Sequence, residues 1–263
     1  MTATAGLVLL VYGSTRVGQA GAASMGAVGM LALAAALLAG FWLVERRVTD
    51  PLVPPAMLRS RQLVGASLAA FTLTAVTSPA GVLGTLYLQE ALGYPPTATG
   101  LALLPFSLAA IAGSFIGAWL TARIRARATM ALGLATVTAA MLLLSRLPTQ
   151  HHGGLPWLVT GLVIAGSGLT CASVAATATG TAATGGQAQG LASGLLNSAA
   201  QVGTALGIAA LVTVAAARTS ALAGAADPTP TQLVDGFRLA FLAGAGVALL
   251  GVLGTLLLVR KEP

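Results

Sequence analysis

Residues 186–211 read GQAQGLASGLLNSAAQVGTALGIAAL, and this stretch indicates the solvent in which the chain folds. The pattern predicts an uncharged helix, yet it contains five glycines and places Asn197 and Gln201 among apolar residues. In water, each glycine inside a helix costs about 1 kcal/mol relative to alanine. In lipid, small residues let a neighbouring helix approach closely, and side-chain amides find partners inside the bundle. The stretch therefore favours a helix that lies in a membrane.

The composition of the whole chain supports the same conclusion. Of its 263 residues, 56% are hydrophobic and 7% are charged, whereas a soluble domain has roughly 25% charged residues. The net charge of +7 comes from basic residues that lie between apolar segments. Phosphate-binding patches need a polar fold to display them, so this arrangement argues against nucleic-acid binding. The single cysteine, Cys171, excludes an intrachain disulfide and is interpreted as a core residue.

Long uncharged segments divide the chain, and about 20 apolar residues suffice to cross a bilayer. We therefore predict an all-α transmembrane protein with about eight membrane-spanning helices. Their expected positions are 3–15, 25–44, 62–87, 98–121, 128–146, 156–178, 190–216 and 237–259. The first of them resembles a helix whose beginning is missing. Pro95-Pro96 and Pro156 are expected at helix starts, whereas Pro79 and Pro105 lie inside spans.

The distribution of basic residues predicts the orientation of these spans. Alternate ends of the helices would place nine basic residues on one side: Arg46, Arg47, Arg59, Arg61, Arg123, Arg125, Arg127, Arg260 and Lys261. The other side receives Arg16, Arg146, Arg218 and Arg238. Because basic residues concentrate in cytoplasmic loops, both termini are predicted in the cytoplasm.

Two of the predicted helices divide into a polar and an apolar face. At 100° per residue, six residues of span 190–216 share an arc of about 100°: Gly190, Ser193, Gly194, Asn197, Gln201 and Thr204. Span 62–87 has a corresponding arc: Ser67, Phe71, Thr74, Ser78, Gly81 and Thr85.

Two interpretations of these faces remain open. One is a polar-lined cavity between helices that contacts a substrate, with six candidate residues: Phe71, Thr74, Ser78, Asn197, Gln201 and Thr204. The other is that the polar groups only join helices, through hydrogen bonds worth about 0.6 kcal/mol each. Glycines along the opening stretch are predicted to serve helix packing: Gly190, Gly194, Gly203 and Gly207.

No convincing catalytic set occurs in the sequence, so we expect no enzyme activity, no cofactor and no metal. His151-His152 falls in a predicted outside loop without an acidic or thiol partner nearby. Acidic residues within a membrane often mark proton relays. Here Glu90, Asp227 and Asp235 lie at or beyond the ends of predicted spans, and the chain contains no obvious proton carrier.

Arg123, Arg125 and Arg127 form a compact basic turn between two predicted spans. The simpler interpretation is that they determine topology. The alternative is a gating role on the cytoplasmic side, in which they also cap helix ends or pair with acidic residues.

Three stretches of the sequence are distinctive: Val44–Leu52, Gly84–Pro95 and Gly190–Gly207. Together they resemble the C-terminal part of fourteen-helix drug:proton antiporters in the major facilitator superfamily. The stretch Gly84–Pro95, GTLYLQEALGYP, with Leu104-Pro105 after it, resembles the first helix and outer loop of the C-terminal bundle. Val44–Leu52 is similar to the connection before that bundle, and Gly190–Gly207 is similar to the penultimate helix. The family often has glycine at the position of Arg125 and arginine at the position of Ala200.

The resemblance implies a particular organisation and activity. Residues 1–61 would hold a truncated first helix, a second linker helix and the cytoplasmic connection, and residues 62–263 the six-helix bundle. The implied activity is proton-coupled efflux of small hydrophobic or cationic compounds across the cell membrane, by alternating access. The partners would be membrane lipid, substrate, protons and the missing N-terminal six-helix bundle, in the same or a separate chain.

The chain alone is expected not to transport. A different hypothesis is a membrane module that acts as a scaffold or partner subunit without transporting. A third is that the reading frame is truncated and the true protein is longer, which the clipped first helix favours.

Overall fold

The structure is a computed structural model that describes residues 25–45, 59–149, 151–183, 188–224 and 226–259, with a few isolated positions nearer the N-terminus. The predicted span 3–15 lies outside these ranges. The first described helix is α1, Met25–Glu45. Six further helices follow it within the described ranges, and they confirm the predicted all-α transmembrane class. Each is long and apolar enough to cross a membrane.

The six helices begin and end as follows. Helix α2 covers Arg61–Leu86 and continues as a π-helical turn, Tyr87–Ala91. Helices α3, α4 and α5 cover Pro96–Ile124, Ala126–Leu144 and His151–Ala182. Helices α6 and α7 cover Gln189–Ala223 and Pro230–Leu258.

Several predicted boundaries need correction. Helix α7 begins seven residues earlier than expected, because Thr229 and Gln232 form a capping box at its start. Asp235, which was expected before the span, therefore lies inside the helix together with Arg238. His151 and His152 belong to the first turn of α5 and not to a loop, so Pro156 lies inside that helix. Helix α3 does begin at Pro96, as predicted.

Helix α2 lies at the centre of the bundle and packs against α5, α6 and α7. Helix α3 packs on α5, and α4 fills the angle between α5 and α7. Helices α3 and α6 thus flank a face formed by α2 and α5. Small residues set these contacts. A Cβ on Gly113 would lie 2.5 Å from the Ser167 carbonyl oxygen, and one on Gly133 would lie 2.7 Å from that of Gly168.

At one end of the bundle, a fully buried tyrosine holds the connection between α4 and α5. The Tyr87 hydroxyl donates to the carbonyl oxygen of Pro148 at 2.7 Å. Gly154 leaves room for this hydroxyl, since a Cβ there would lie 2.3 Å from the Tyr87 oxygen. Tyr87, the first residue of the π-helical turn, therefore contacts both the α4–α5 connection and the start of α5.

Candidate functional site

A cavity of about 490 Å³ lies between α2, α3 and α5. Its walls are apolar side chains with a few hydroxyl groups. The lining residues are Thr77, Ser78, Gly81, Val82, Thr85, Leu103, Phe106, Ser107, Leu162 and Leu169. None of these lining residues carries a charge.

The hydroxyls of α2 already donate their protons within the protein. Thr77 donates to the Leu73 carbonyl at 2.8 Å, and Thr85 donates to the Gly81 carbonyl at 3.0 Å. A hydroxyl oxygen that donates its proton still has lone pairs that accept. These threonines therefore offer hydrogen-bond acceptors to a molecule in the cavity, without supplying a negative charge.

Of the six predicted cavity residues, only Ser78 lines this cavity. Its Oγ lies 3.2 Å from Thr204 Oγ1 on α6, and the Thr74 hydroxyl donates to the Ala200 carbonyl at 2.6 Å. These two contacts join α2 to α6. They are the helix-joining hydrogen bonds that formed the alternative interpretation.

The remaining candidates lie elsewhere. Phe71 is half-buried, and its carbonyl oxygen faces Gly203. Asn197 and Gln201 are exposed on α6 and do not line this cavity. A helical period identifies residues that share a face, but it does not identify the neighbour of that face.

Sequence analysis missed the contribution of α3 and α5 to the cavity. Phe106 and Ser107 line it directly after Pro105, and Leu162 and Leu169 line it from α5. Helix α3 is apolar on most of its surface, so no polar face distinguished these residues. The one available signal was the proline inside the span, beside a phenylalanine and a serine.

The four glycines that were predicted to serve helix packing fall into two pairs. A Cβ on Gly203 would lie 2.3 Å from the Phe71 carbonyl oxygen, and one on Gly207 would lie 2.1 Å from that of Ala75. Both positions are thus in backbone contact with α2. Gly190 and Gly194 are exposed, and a Cβ on either would meet nothing within 4 Å among the described residues. For this second pair, the described bundle provides no packing neighbour.

The basic turn connects α3 to α4 through a single residue. Arg125 lies between the two helices with φ 73° and ψ 148°, a backbone region almost restricted to glycine. Arg123 lies over the Trp119 ring, 5.1 Å from its centroid. Arg127 donates from Nη2 to the Leu256 carbonyl, near the end of α7. Leu256 lies in the last turn of α7, where helix carbonyls commonly take hydrogen-bond partners from outside the helix.

Helices α3 and α6 leave most of their surface uncovered. In their membrane-crossing parts, 11% of α3 and 22% of α6 is buried, against 61% of α2. Large apolar side chains on α3 are more than half exposed, among them Leu101, Leu108, Ile111 and Phe115. The two flanking helices are therefore the least covered members of the bundle.

Comparison with known proteins agrees with this architecture. The family model described as Major Facilitator Superfamily matches residues 1–208 and, in an overlapping match, residues 63–263. The chain therefore belongs to the major facilitator superfamily.

Individual relatives are resistance and export proteins. The chain is 36% identical over 260 residues to the puromycin resistance protein pur8 of Streptomyces alboniger, which covers 96% of this chain and 50% of that protein. It is 32% identical over 259 residues to the cephamycin export protein CmcT of Amycolatopsis lactamdurans, covering 95% and 50%. The tetracenomycin C resistance and export protein of Streptomyces glaucescens is 32% identical over 210 residues, covering 80% and 38%. The chain spans half or less of the length of these relatives.

Proposed function

We propose that this chain is the C-terminal portion of an efflux transporter that exports small hydrophobic or cationic compounds in exchange for protons, by alternating access. The relatives are resistance and export proteins, which supports this class of activity. The distribution of basic residues supports a location in the cell membrane with both termini in the cytoplasm.

The observation that carries the proposal is the cavity between α2, α3 and α5. Its volume of about 490 Å³ falls within the roughly 300–1,000 Å³ typical of small-molecule sites. Apolar walls with a few hydroxyl acceptors suit a compound that is mostly hydrophobic and carries hydrogen-bond donors. An organic cation with hydrogen-bond donors and a neutral amphipathic compound would both fit this lining. The lining therefore supports the proposed class of small hydrophobic or cationic substrates.

The missing N-terminal bundle is proposed to cover the exposed faces of α3 and α6. Both helices flank the same face of α2 and α5, and both are poorly buried in this chain. Exposed Asn197 and Gln201 on α6, together with Gly190 and Gly194, lie on a surface available to a second bundle. Close packing of small residues is a usual contact between membrane helices.

Proton coupling is proposed to depend on groups outside this chain. Glu90 follows α2 in the π-helical turn, and Asp227 precedes α7, both exposed. Asp235 is paired with Arg238 at 2.8 Å in the first turns of α7. These positions lie at helix ends, whereas a relay needs an ionisable group along the substrate path.

The cavity can be tested by filling it without creating a clash. Gly81 lines the cavity, and a Cβ there meets nothing within 4 Å. The substitution Gly81→Leu should abolish most export of a hydrophobic cation such as ethidium by the complete transporter, N-terminal bundle included. Gly246→Leu is the matched control, because Gly246 is exposed on α7 with equal space around it.

Export is measured as ethidium efflux from energised cells, with and without an uncoupler that collapses the proton gradient. Wild-type efflux by the Gly81→Leu variant would remove the cavity from the transport path. Efflux that persists after the gradient collapses would contradict proton exchange. Robust uncoupler-sensitive efflux from this chain alone would contradict the proposed need for a second bundle.

A further inference from the structure

A second cavity lies between the ends of α4, α6 and α7, three helices that do not line the first cavity. It has a volume of about 610 Å³ and is lined by Leu142, Ser145, Arg146, Arg218, Asp235, Arg238, Leu239 and Leu242. Three arginines and one aspartate therefore line the same cavity. We propose that this cavity binds the phosphate of an anionic phospholipid, a site that does not depend on the transport activity proposed above.

The arginines come from different parts of the chain. Arg146 follows the end of α4, Arg218 lies near the end of α6, and Arg238 lies in the third turn of α7. The sequence assigns four basic residues to the sparsely charged side of the membrane, and the structure describes three of them. All three line this one cavity. Basic residues that only set the membrane topology need not lie together in one cavity. The non-cytoplasmic side, to which these arginines are assigned, normally has few basic residues.

Arg238 is held in position by the protein itself. Its Nη1 donates to Asp235 Oδ1 at 2.8 Å, and its Nε donates to the Leu147 carbonyl at 2.8 Å. The Asp235 carboxylate is therefore already paired with Arg238. The Arg146 and Arg218 guanidiniums are exposed and have no ion-pair partner among the residues that the structure describes. The cavity therefore retains an excess of positive charge and unused N–H donors.

The chemistry of the walls favours a lipid over a soluble anion. A guanidinium binds phosphate oxygens through paired hydrogen bonds. Leu142 lies one turn before Arg146 on α4, and Leu239 and Leu242 continue along α7 beyond Arg238. These leucines are 48%, 41% and 52% exposed. A molecule with a phosphate at one end and acyl chains at the other would contact both the arginines and the leucines.

The test is a lipid titration of the purified protein in detergent, followed by its melting temperature. Phosphatidylglycerol should stabilise the protein, whereas phosphatidylcholine should stabilise it less, because its choline offsets the phosphate charge. The double variant Arg146→Gln/Arg218→Gln should need about 25-fold more phosphatidylglycerol for half-maximal stabilisation, at about fivefold for each arginine. Arg238 is left intact, since it also contacts Asp235 and Leu147.

The matched control is Arg59→Gln/Arg123→Gln, which removes two exposed arginines at the other end of the bundle. It should keep the wild-type phosphatidylglycerol dependence. An unchanged dependence in the Arg146→Gln/Arg218→Gln variant would overturn the proposal, as would equal stabilisation by the two lipids. Soluble glycerol phosphate provides the last arm, because stabilisation by it at the same concentration would identify a site for free anions and not for lipid.

Discussion

Substitution of Gly207 should push α6 away from α2, because the backbones of these two helices are in contact at this position. An alanine Cβ at this position would lie 2.1 Å from the Ala75 carbonyl oxygen and 2.5 Å from the Ala75 Cα. Since carbon atoms pack at about 3.5–4.0 Å, α6 would have to move by about 1 Å or more. Both close atoms belong to the backbone of α2, so no side chain can rotate away.

The expected cost follows from this geometry. Inserting a methyl group into a well-packed core costs about 1–3 kcal/mol. In a chain of this size each kcal/mol lowers the melting temperature by about 2–4 °C. We therefore expect Gly207→Ala to melt roughly 2–12 °C below the wild type, measured by thermal unfolding in detergent.

Gly194→Ala provides the control on the same helix. A Cβ on Gly194 meets nothing within 4 Å, and alanine is the better helix former, so its melting temperature should equal or exceed that of the wild type. If Gly207→Ala and Gly194→Ala melted at the same temperature, the close backbone contact between α2 and α6 would not contribute to stability. The reasoning from glycine to helix packing would then be wrong.

Two further substitutions test local geometry. Arg125→Gly should raise the melting temperature, because glycine removes about 1–3 kcal/mol of backbone strain; Arg123→Gly, inside helix α3, should lower it, and an equal effect of both would contradict the strain argument. Tyr87→Phe removes the hydrogen bond to the Pro148 carbonyl, which leaves that group without this partner. Hydrogen exchange of the amides around residues 145–149 should accelerate by about tenfold, and unchanged exchange would show that the bond does not hold the connection.

The fold was largely predictable, because the signal that defines it is long and repeated. Uncharged segments of about 20 residues located every helix from α2 to α7, and Pro96 marked the start of α3 correctly. The start of α7 was harder to predict from the sequence. The predicted span began after Asp235, but the capping box at Thr229 starts the helix earlier and includes this residue.

The site was less predictable, because its residues depend on which helices become neighbours. The polar arc of α2 did contain Ser78 and Thr85, which line the cavity. Thr74 belongs to the same arc, yet its hydroxyl bonds to the backbone of α6. Along one face, periodicity cannot distinguish a residue that meets a cavity from one that meets another helix. Helical periodicity could not identify Phe106 as a cavity residue, because α3 has no polar face.

The joint between α3 and α4 limits how these helices can move. Ile124 ends one helix and Ala126 begins the next, so their Cα atoms can separate by no more than about 7.6 Å. Arg127 then links the start of α4 to the end of α7 through the Leu256 carbonyl. The one-residue connection is too short to absorb a displacement of α3 along its axis. Such a displacement must therefore move α4 and, through Arg127, the end of α7. This corner of the bundle would therefore transmit motion as a mechanical linkage between one exposed helix and two that are packed inside.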